Sequence, residues 1–239
     1  MNWHARYLRQ AAWTRDLRNY LFDNAGAERA RRILEVGCGT GAILREINAP
    51  APLHGLDLEP DSLTQCRIHA PAASLTLGDA HALPYPDRSF DIVFCHFLLL
   101  WVRDPLRVLR EMARVGRDVL ALAEPDYGGR LDAPAALEPL GKWQAEALVR
   151  QGANPFFGGM LAETFDRAGI RLVETGPIQM SEAKRSAGEW EEEWAVIQAD
   201  LAGSVSDGDI QKMKALDHEA RARGVRILHV PTYFAWGKT

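Results

Sequence analysis

The sequence predicts an α/β protein: an open, mostly parallel sheet with helices on both faces. Three observations predict it. Short, nearly continuous apolar runs recur along the first half of the chain, as expected of strands covered on both sides. Helical stretches lie between them, two of them with clear opening signals. The order strand–helix–strand repeats, and right-handed crossovers then put helices on both faces of the sheet.

The elements follow in chain order. Trp3–Phe22 reads as a helix, with Trp3, Tyr7, Ala11, Thr14 and Leu21 at helical spacing. The first strands are Ile33–Val36, Leu53–Leu56, Ser74–Leu77, Phe90–Cys95 and Val119–Ala123. Pro60-Asp61 opens a helix over Ser62–His69. Asp104-Pro105, an N-cap followed by proline at the first helical position, opens another over Leu106–Val115. Beyond the fifth strand the alternation loosens. Asp132–Gln151 and Gly158–Ala168 read as helices, Ile170–Thr175 as a strand, and Ser186–Arg223 as two helices broken near Gly203–Gly208. Val225–Ala235 reads as a final strand. The whole chain, 1–239, is expected to be a single domain. Residues 1–25 are an N-terminal helical lid, 30–125 a ligand-binding core, 126–224 a half with strands, helices and pocket-building additions, and 225–239 a terminal strand.

Composition narrows the function. The chain has 239 residues, 47% hydrophobic and 25% charged, which is ordinary for a globular domain. Its 28 basic and 32 acidic residues give a net charge of −4, arguing against a footprint for nucleic acid or an anionic membrane. The clusters Arg29, Arg31, Arg32 and Arg221, Arg223, Arg226 read as solvated helix ends. No apolar run reaches the roughly 18 residues of a membrane helix, and Met1–Asn24 has no apolar signal core. Cys38, Cys66 and Cys95 cannot all pair and match no zinc spacing, so reduced thiols, no metal and a cytoplasmic setting are expected.

The most informative stretch is Ile33-Leu34-Glu35-Val36-Gly37-Cys38-Gly39-Thr40-Gly41. A strand feeds a turn with glycines at alternate positions, where a ligand can approach the backbone closely. In doubly wound sheets such a turn lies beneath the ligand at the carboxyl edge. The spacing Gly37-x-Gly39-x-x-Ala42 also satisfies a dinucleotide fingerprint. Asp57 ends the second strand 57 − 37 = 20 positions after Gly37, where a ribose-binding acid belongs in either case. The third strand ends Leu77-Gly78-Asp79-Ala80, which sets a second carboxylate on the same edge, able to accept from an exocyclic amine.

Together these residues resemble a class I S-adenosylmethionine-dependent methyltransferase of the UbiE-like, small-molecule branch. ILEVGCGTG is similar to that family's first motif, Asp57 to the acid ending its second strand, and GDAHALPYPDRSFDIV to the stretch between its third and fourth strands. The similar block runs from Ile33 to about Val115. The resemblance implies a Rossmann-like, seven-stranded sheet of order 3-2-1-4-5-7-6 with its last strand antiparallel. It implies S-adenosylmethionine as cofactor and S-adenosylhomocysteine as product. Gly37, Cys38, Gly39 and Gly41, with Glu35 just before, would then cradle the methionine part. Asp57 would hold the ribose, Asp79 and Ala80 the adenine, and Leu58 would pack on the ring. Cys95 would offer backbone to the amino-acid end beside His96. Tyr7, Gln10 and Trp13 on the N-terminal helix would close over the cofactor.

Methyl transfer from a sulfonium needs orientation more than a dedicated catalytic group. Candidates for a catalytic part are His96, after the fourth strand, and Glu124 and Asp126, after the fifth. The neutral imidazole of His96 can take a proton from a hydroxyl or amine. Relatives carry a His pair near the positions held here by Leu100-Trp101, a departure that leaves the base open and suggests an apolar wall. Tyr127, Trp143, Phe156, Phe157, Trp190 and Trp194 either line a pocket or belong to the core. The expected activity is methyl transfer to a small organic acceptor by a monomer or homodimer, with no nucleic-acid or membrane partner. The alternatives are an NAD-type oxidoreductase and a non-catalytic S-adenosylmethionine-binding protein.

Overall fold

Residues 3–178 and 187–239 are described by a computed structural model, and the first five strands lie side by side, all parallel. They are β1 (Ile33–Val36), β2 (Leu53–Asp57), β3 (Ser74–Leu77), β4 (Phe90–Cys95) and β5 (Gly116–Pro125). The early helices are α1 (Trp3–Trp13), α2 (Arg15–Asn24), α3 (Pro60–His69) and α4 (Pro105–Val115). Later come β6 (Leu131–Ala133), α5 (Glu138–Arg150), α6 (Leu161–Arg167), β7 (Arg171–Pro177), α7 (Ala187–Leu201), α8 (Asp207–Ala222), β8 (Ile227–His229) and β9 (Thr232–Lys238). The seven-stranded sheet runs β3-β2-β1-β4-β5-β9-β7, with β9 antiparallel to both neighbours. With β6 and β8 set aside as a separate ribbon, this is the Rossmann-like order expected, 3-2-1-4-5-7-6.

Alternate residues of each central strand feed two apolar layers. Val93 and Cys95 of β4 point to one face, against Val108, Leu109 and Met112 of α4 and Phe165 of α6. Ile92 and Phe94 point to the other, against Leu21 and Phe22 of α2. Both faces being buried explains why the strands read as nearly continuous apolar runs. A third cluster joins α5, α7 and α8 through Leu140, Trp194, Ile197, Leu201 and Met213.

Three expectations are corrected. The single helix over 3–22 is two helices broken at Thr14, whose hydroxyl donates to Ala11 O and meets Arg18 and His96. The helix over 132–151 begins only at Glu138: Pro134 holds Ala133 in the extended region, so Leu131–Ala133 pairs with Ile227–His229 instead. The terminal strand is split at Val230-Pro231, with β8 in the ribbon and β9 in the main sheet. The two-helix region broken near Gly203–Gly208 is observed as α7 and α8, while its expected start at Ser186 lies outside the described residues.

Candidate functional site

The glycine turn grows from the parallel pairing of β1 and β2. Gly37 and Cys38 both donate to Leu56 O, at 2.8 and 3.0 Å. Gly39, with φ +51°, donates to Asp57 Oδ2 at 2.7 Å. The same carboxylate accepts from Glu59 N at 3.0 Å, so Asp57 straps the turn to the end of β2. Each oxygen keeps a further lone pair for a ligand hydroxyl. A Cβ added at Gly39 would meet the Tyr7 ring at 3.8 Å, an ordinary contact, so α1 lies over the turn on that side. At Gly37 the added atom would sit 2.7 Å from a Leu98 methyl, and only glycine fits.

Beneath the turn, Glu35 is buried, and its Oε2 has no protein partner. Burial pushes this carboxyl well above the ordinary carboxylate range. The Cys38 side chain lies in the apolar cluster under the turn with Cys66, so only its backbone belongs to the cradle. At the end of β3, Asp79 is exposed and Ala80 buried. One Asp79 oxygen accepts from both the backbone and the ring of His81, at 2.8 and 2.7 Å, and these bonds lower its pKa. Leu58 is 63% exposed beside Asp57, free to pack on a ring.

α1 lies across this edge. His4 Nδ1 is 2.7 Å from Thr40 Oγ1, and its ring stacks on His69 of α3 at 3.5 Å. Tyr7 reaches Gly39, while Gln10 and Trp13 are half-buried further along the helix. His4, Thr40 and His69 were not singled out in the sequence. Their contact spans the chain, and only Thr40, inside the glycine run, carried a local signal.

At the end of β4, Cys95 is fully buried, and burial pushes its thiol upward. The following His96 places Nε2 3.0 Å from Thr14 Oγ1 and its ring edge against Phe97. Burial, with the nearby Arg18 charge, holds its pKa down at about 3, so the ring is neutral. The expected acids after β5 do not stand free. Glu124 is fully buried, with all its bonds given to the N–H groups of Leu98, Leu99 and Leu100. Asp126 accepts from Gly128 N at 2.8 Å and caps the turn that follows. Glu124 presents no spare base to the edge, whereas Asp126 gives only Oδ1 to its cap.

Beyond these acids, a groove of about 780 Å³ is lined by Tyr127, Arg130, Lys142, Val149 and Phe156. Of the other expected aromatics, Phe157 and Trp194 are core, and Trp143 packs on the helical cluster. Arg221 stacks over Trp190.

An orphaned buried carboxyl oxygen, a glycine turn that leaves a small space under Tyr7, and acids at the ends of β2 and β3 fit the groups of S-adenosylmethionine. They offer acceptors to its ammonium, ribose and adenine amine.

Comparison with known proteins agrees. Residues 34–118 match the family described as a methyltransferase domain. A malonyl-[acyl-carrier protein] O-methyltransferase of Halorhodospira halophila is 36% identical over 118 residues, 46% of this chain and 40% of that protein. A demethylmenaquinone methyltransferase of Deinococcus radiodurans is 40% identical over 114 residues, 43% of this chain and 47% of that one. The chain thus spans less than half the length of each of these curated relatives. Among solved structures, the [4+2]-cyclase SpnF shares the fold, with a TM-score of 0.58 at 20% identity, over 92% of this chain and 80% of that one. Residues 34–118 are thus similar to a methyltransferase domain, and the sheet has the Rossmann-like order of the class I methyltransferase fold.

Proposed function

We propose that the protein binds S-adenosylmethionine at the glycine turn and moves its methyl group to a small organic acceptor by in-line displacement. The observation that carries this reading is the Asp57 strap on Gly39 beside the unpartnered oxygen of Glu35. When bound, the cofactor supplies an electrophilic methyl on a sulfonium. The protein's part is to bind and orient. Gly37 and Gly39 admit the methionine part, and Glu35 offers its free oxygen to the ammonium. Asp57 holds the ribose, Asp79 and Ala80 the adenine, and Leu58 covers the ring. Tyr7, Gln10 and Trp13 close over the edge with α1. Gly41 and the Cys95 backbone complete the cradle. Holding acceptor and methyl in line near 3–3.5 Å lowers the barrier by several kcal/mol without a base. His96 stands at the end of β4 as a neutral ring of low basicity, with Nε2 on Thr14, so its part is to accept a hydrogen bond and orient the acceptor rather than to take a full proton.

The small-molecule class is supported by the names of the relatives. No helix among the described residues is long and apolar enough to cross a membrane. A cytoplasmic monomer or homodimer acting on a soluble acceptor is the setting we propose.

Calorimetric titration with S-adenosylhomocysteine tests the core of the reading. Binding is expected to the wild type and to be lost in Asp57→Ala, whereas tighter binding of NAD would favour an oxidoreductase. A second reading, binding without turnover, rests on the engagement of Glu124 and Asp126 by backbone donors. It would be supported by intact cofactor binding with no transfer to any of a broad panel of alcohols, amines and acids.

A further inference from the structure

The fully buried carboxylate at the end of β5 stands out once it is set aside as a base. Leu98 N and Leu99 N donate to Glu124 Oε1 at 3.0 and 2.9 Å, and Leu100 N donates to Oε2 at 3.1 Å. Three consecutive amides converge on one side chain. The β5–β9 register slips between Ala121 and Glu124, so β5 carries one extra residue there. Bulges of this kind re-aim side chains, and they concentrate beside active sites.

The loop it holds is strained. Phe97 has φ +52°, a left-handed conformation that a non-glycine residue adopts only when its surroundings impose it. Phe97 N donates to Ala123 O at 2.9 Å, and Glu124 takes the next three amides. From this loop Leu98 packs onto Gly37 of the glycine turn. His96 reaches Thr14 at the α1–α2 break. One carboxylate therefore ties the end of β5 to the turn after β1 and to the α1–α2 break.

We propose that Glu124 is a positioning residue: by gathering the amides of Leu98–Leu100 it sets the post-β4 loop against Gly37 and so shapes the cofactor cradle. This deepens the reading above and rests on it. Burial raises the Glu124 carboxyl to about 7, with the three amides pulling the other way. The titratable side chain set against it is the Cys95 thiol, which burial keeps neutral. An ionised Glu124 accepts from all three amides. A protonated one turns an acceptor site into a donor facing N–H groups, and the loop loosens.

The experiment is calorimetric titration of S-adenosylhomocysteine into the wild type and Glu124→Gln between pH 5.5 and 8.5, with amide hydrogen exchange on Leu98–Leu100. In the wild type, affinity is expected to fall by about tenfold on acidification through about pH 7, as one controlling proton allows, with faster exchange at those amides. Glu124→Gln keeps one carbonyl acceptor but sets its NH₂ against an N–H. It should show weakened affinity at pH 8.5, fast exchange confined to the loop, and no step near pH 7. Glu124→Asp, ionisable but shorter, should restore a step. Exchange at Leu98–Leu100 that quickens on acidification in Glu124→Gln as it does in the wild type, or that changes in neither, overturns the inference. Absence of binding in the wild type at every pH overturns the cofactor reading instead.

Discussion

Single residues at the carboxyl edge of the sheet do two jobs at once in the function we propose. Asp57 accepts from the turn that it would also present to a ligand, so its loss should disturb both. Asp79 is different, because His81 fills one oxygen and the side chain is 55% exposed. Asp79→Ala is expected to weaken S-adenosylhomocysteine binding by about 1–3 kcal/mol, as for a lost bond to a charged group, with little change in stability. Unchanged affinity in calorimetry would show that the acid faces elsewhere. Gly41 tests the turn itself. It has φ +80°, and an added Cβ would meet Cys66 Sγ at 2.8 Å. Gly41→Ala should therefore destabilise by about 1–3 kcal/mol in urea unfolding, through backbone strain and overpacking.

At the scale of elements, the ribbon and α8 are joined by a buried ionic chain. Arg130 Nε meets Asp132 at 2.7 Å, and Arg226 bridges Asp132 and Asp217, both at 2.6 Å. Asp217 also takes Arg221 and the Trp194 ring N–H. Within this chain three guanidiniums face two carboxylates, so deleting either acid leaves uncompensated buried positive charge. Asp132→Ala should cost about 3–5 kcal/mol, while a matched apolar replacement of the whole set would cost far less. Chemical denaturation of both variants makes that comparison. The α1–α2 break depends similarly on Thr14, which serves Arg18 and His96. Thr14→Val should cost about 1–2 kcal/mol in the same measurement and leave Arg18 relying on Glu46.

For the whole molecule, the pH dependence of stability is dominated by three groups withdrawn from water. The His96 pKa falls from 6.5 to about 3 on folding, so its contribution is complete above 6.5 and drains away as pH falls toward 3. Glu124 rises from 4.5 to about 7 and the Glu35 carboxyl is raised as well, so their contributions are complete below 4.5 and are lost as pH climbs. Between pH 4.5 and 6.5 the two carboxyls outweigh the one imidazole, each slope being about 1.4 kcal/mol per pH unit at full weight. Urea midpoints should accordingly fall as pH rises over that window. Glu124→Gln should flatten that fall, and His96→Gln should steepen it. An unchanged profile in both variants would contradict these protonation states.

The sheet was legible because its cause is local. Strands such as Ile33–Val36 and Phe90–Cys95 are buried on both faces, and that leaves an apolar run in the sequence interrupted only at Glu35 and Asp91. The glycines at 37, 39 and 41 and the acids 57 and 79 were legible too, because turn chemistry and strand ends are written within a few residues. What only the tertiary structure decided is the occupation of each polar group by distant partners. Glu124 and Asp126 look like free acids in sequence, yet backbone amides take both oxygens of the first and one of the second. The N-terminal stretch is two helices because Thr14 finds Arg18 and His96, and the final strand divides because Leu131–Ala133 awaits its first part. Hydrogen-bonding groups removed from water must be satisfied wherever the fold brings donors and acceptors together, and short-range sequence pattern carries no record of that meeting.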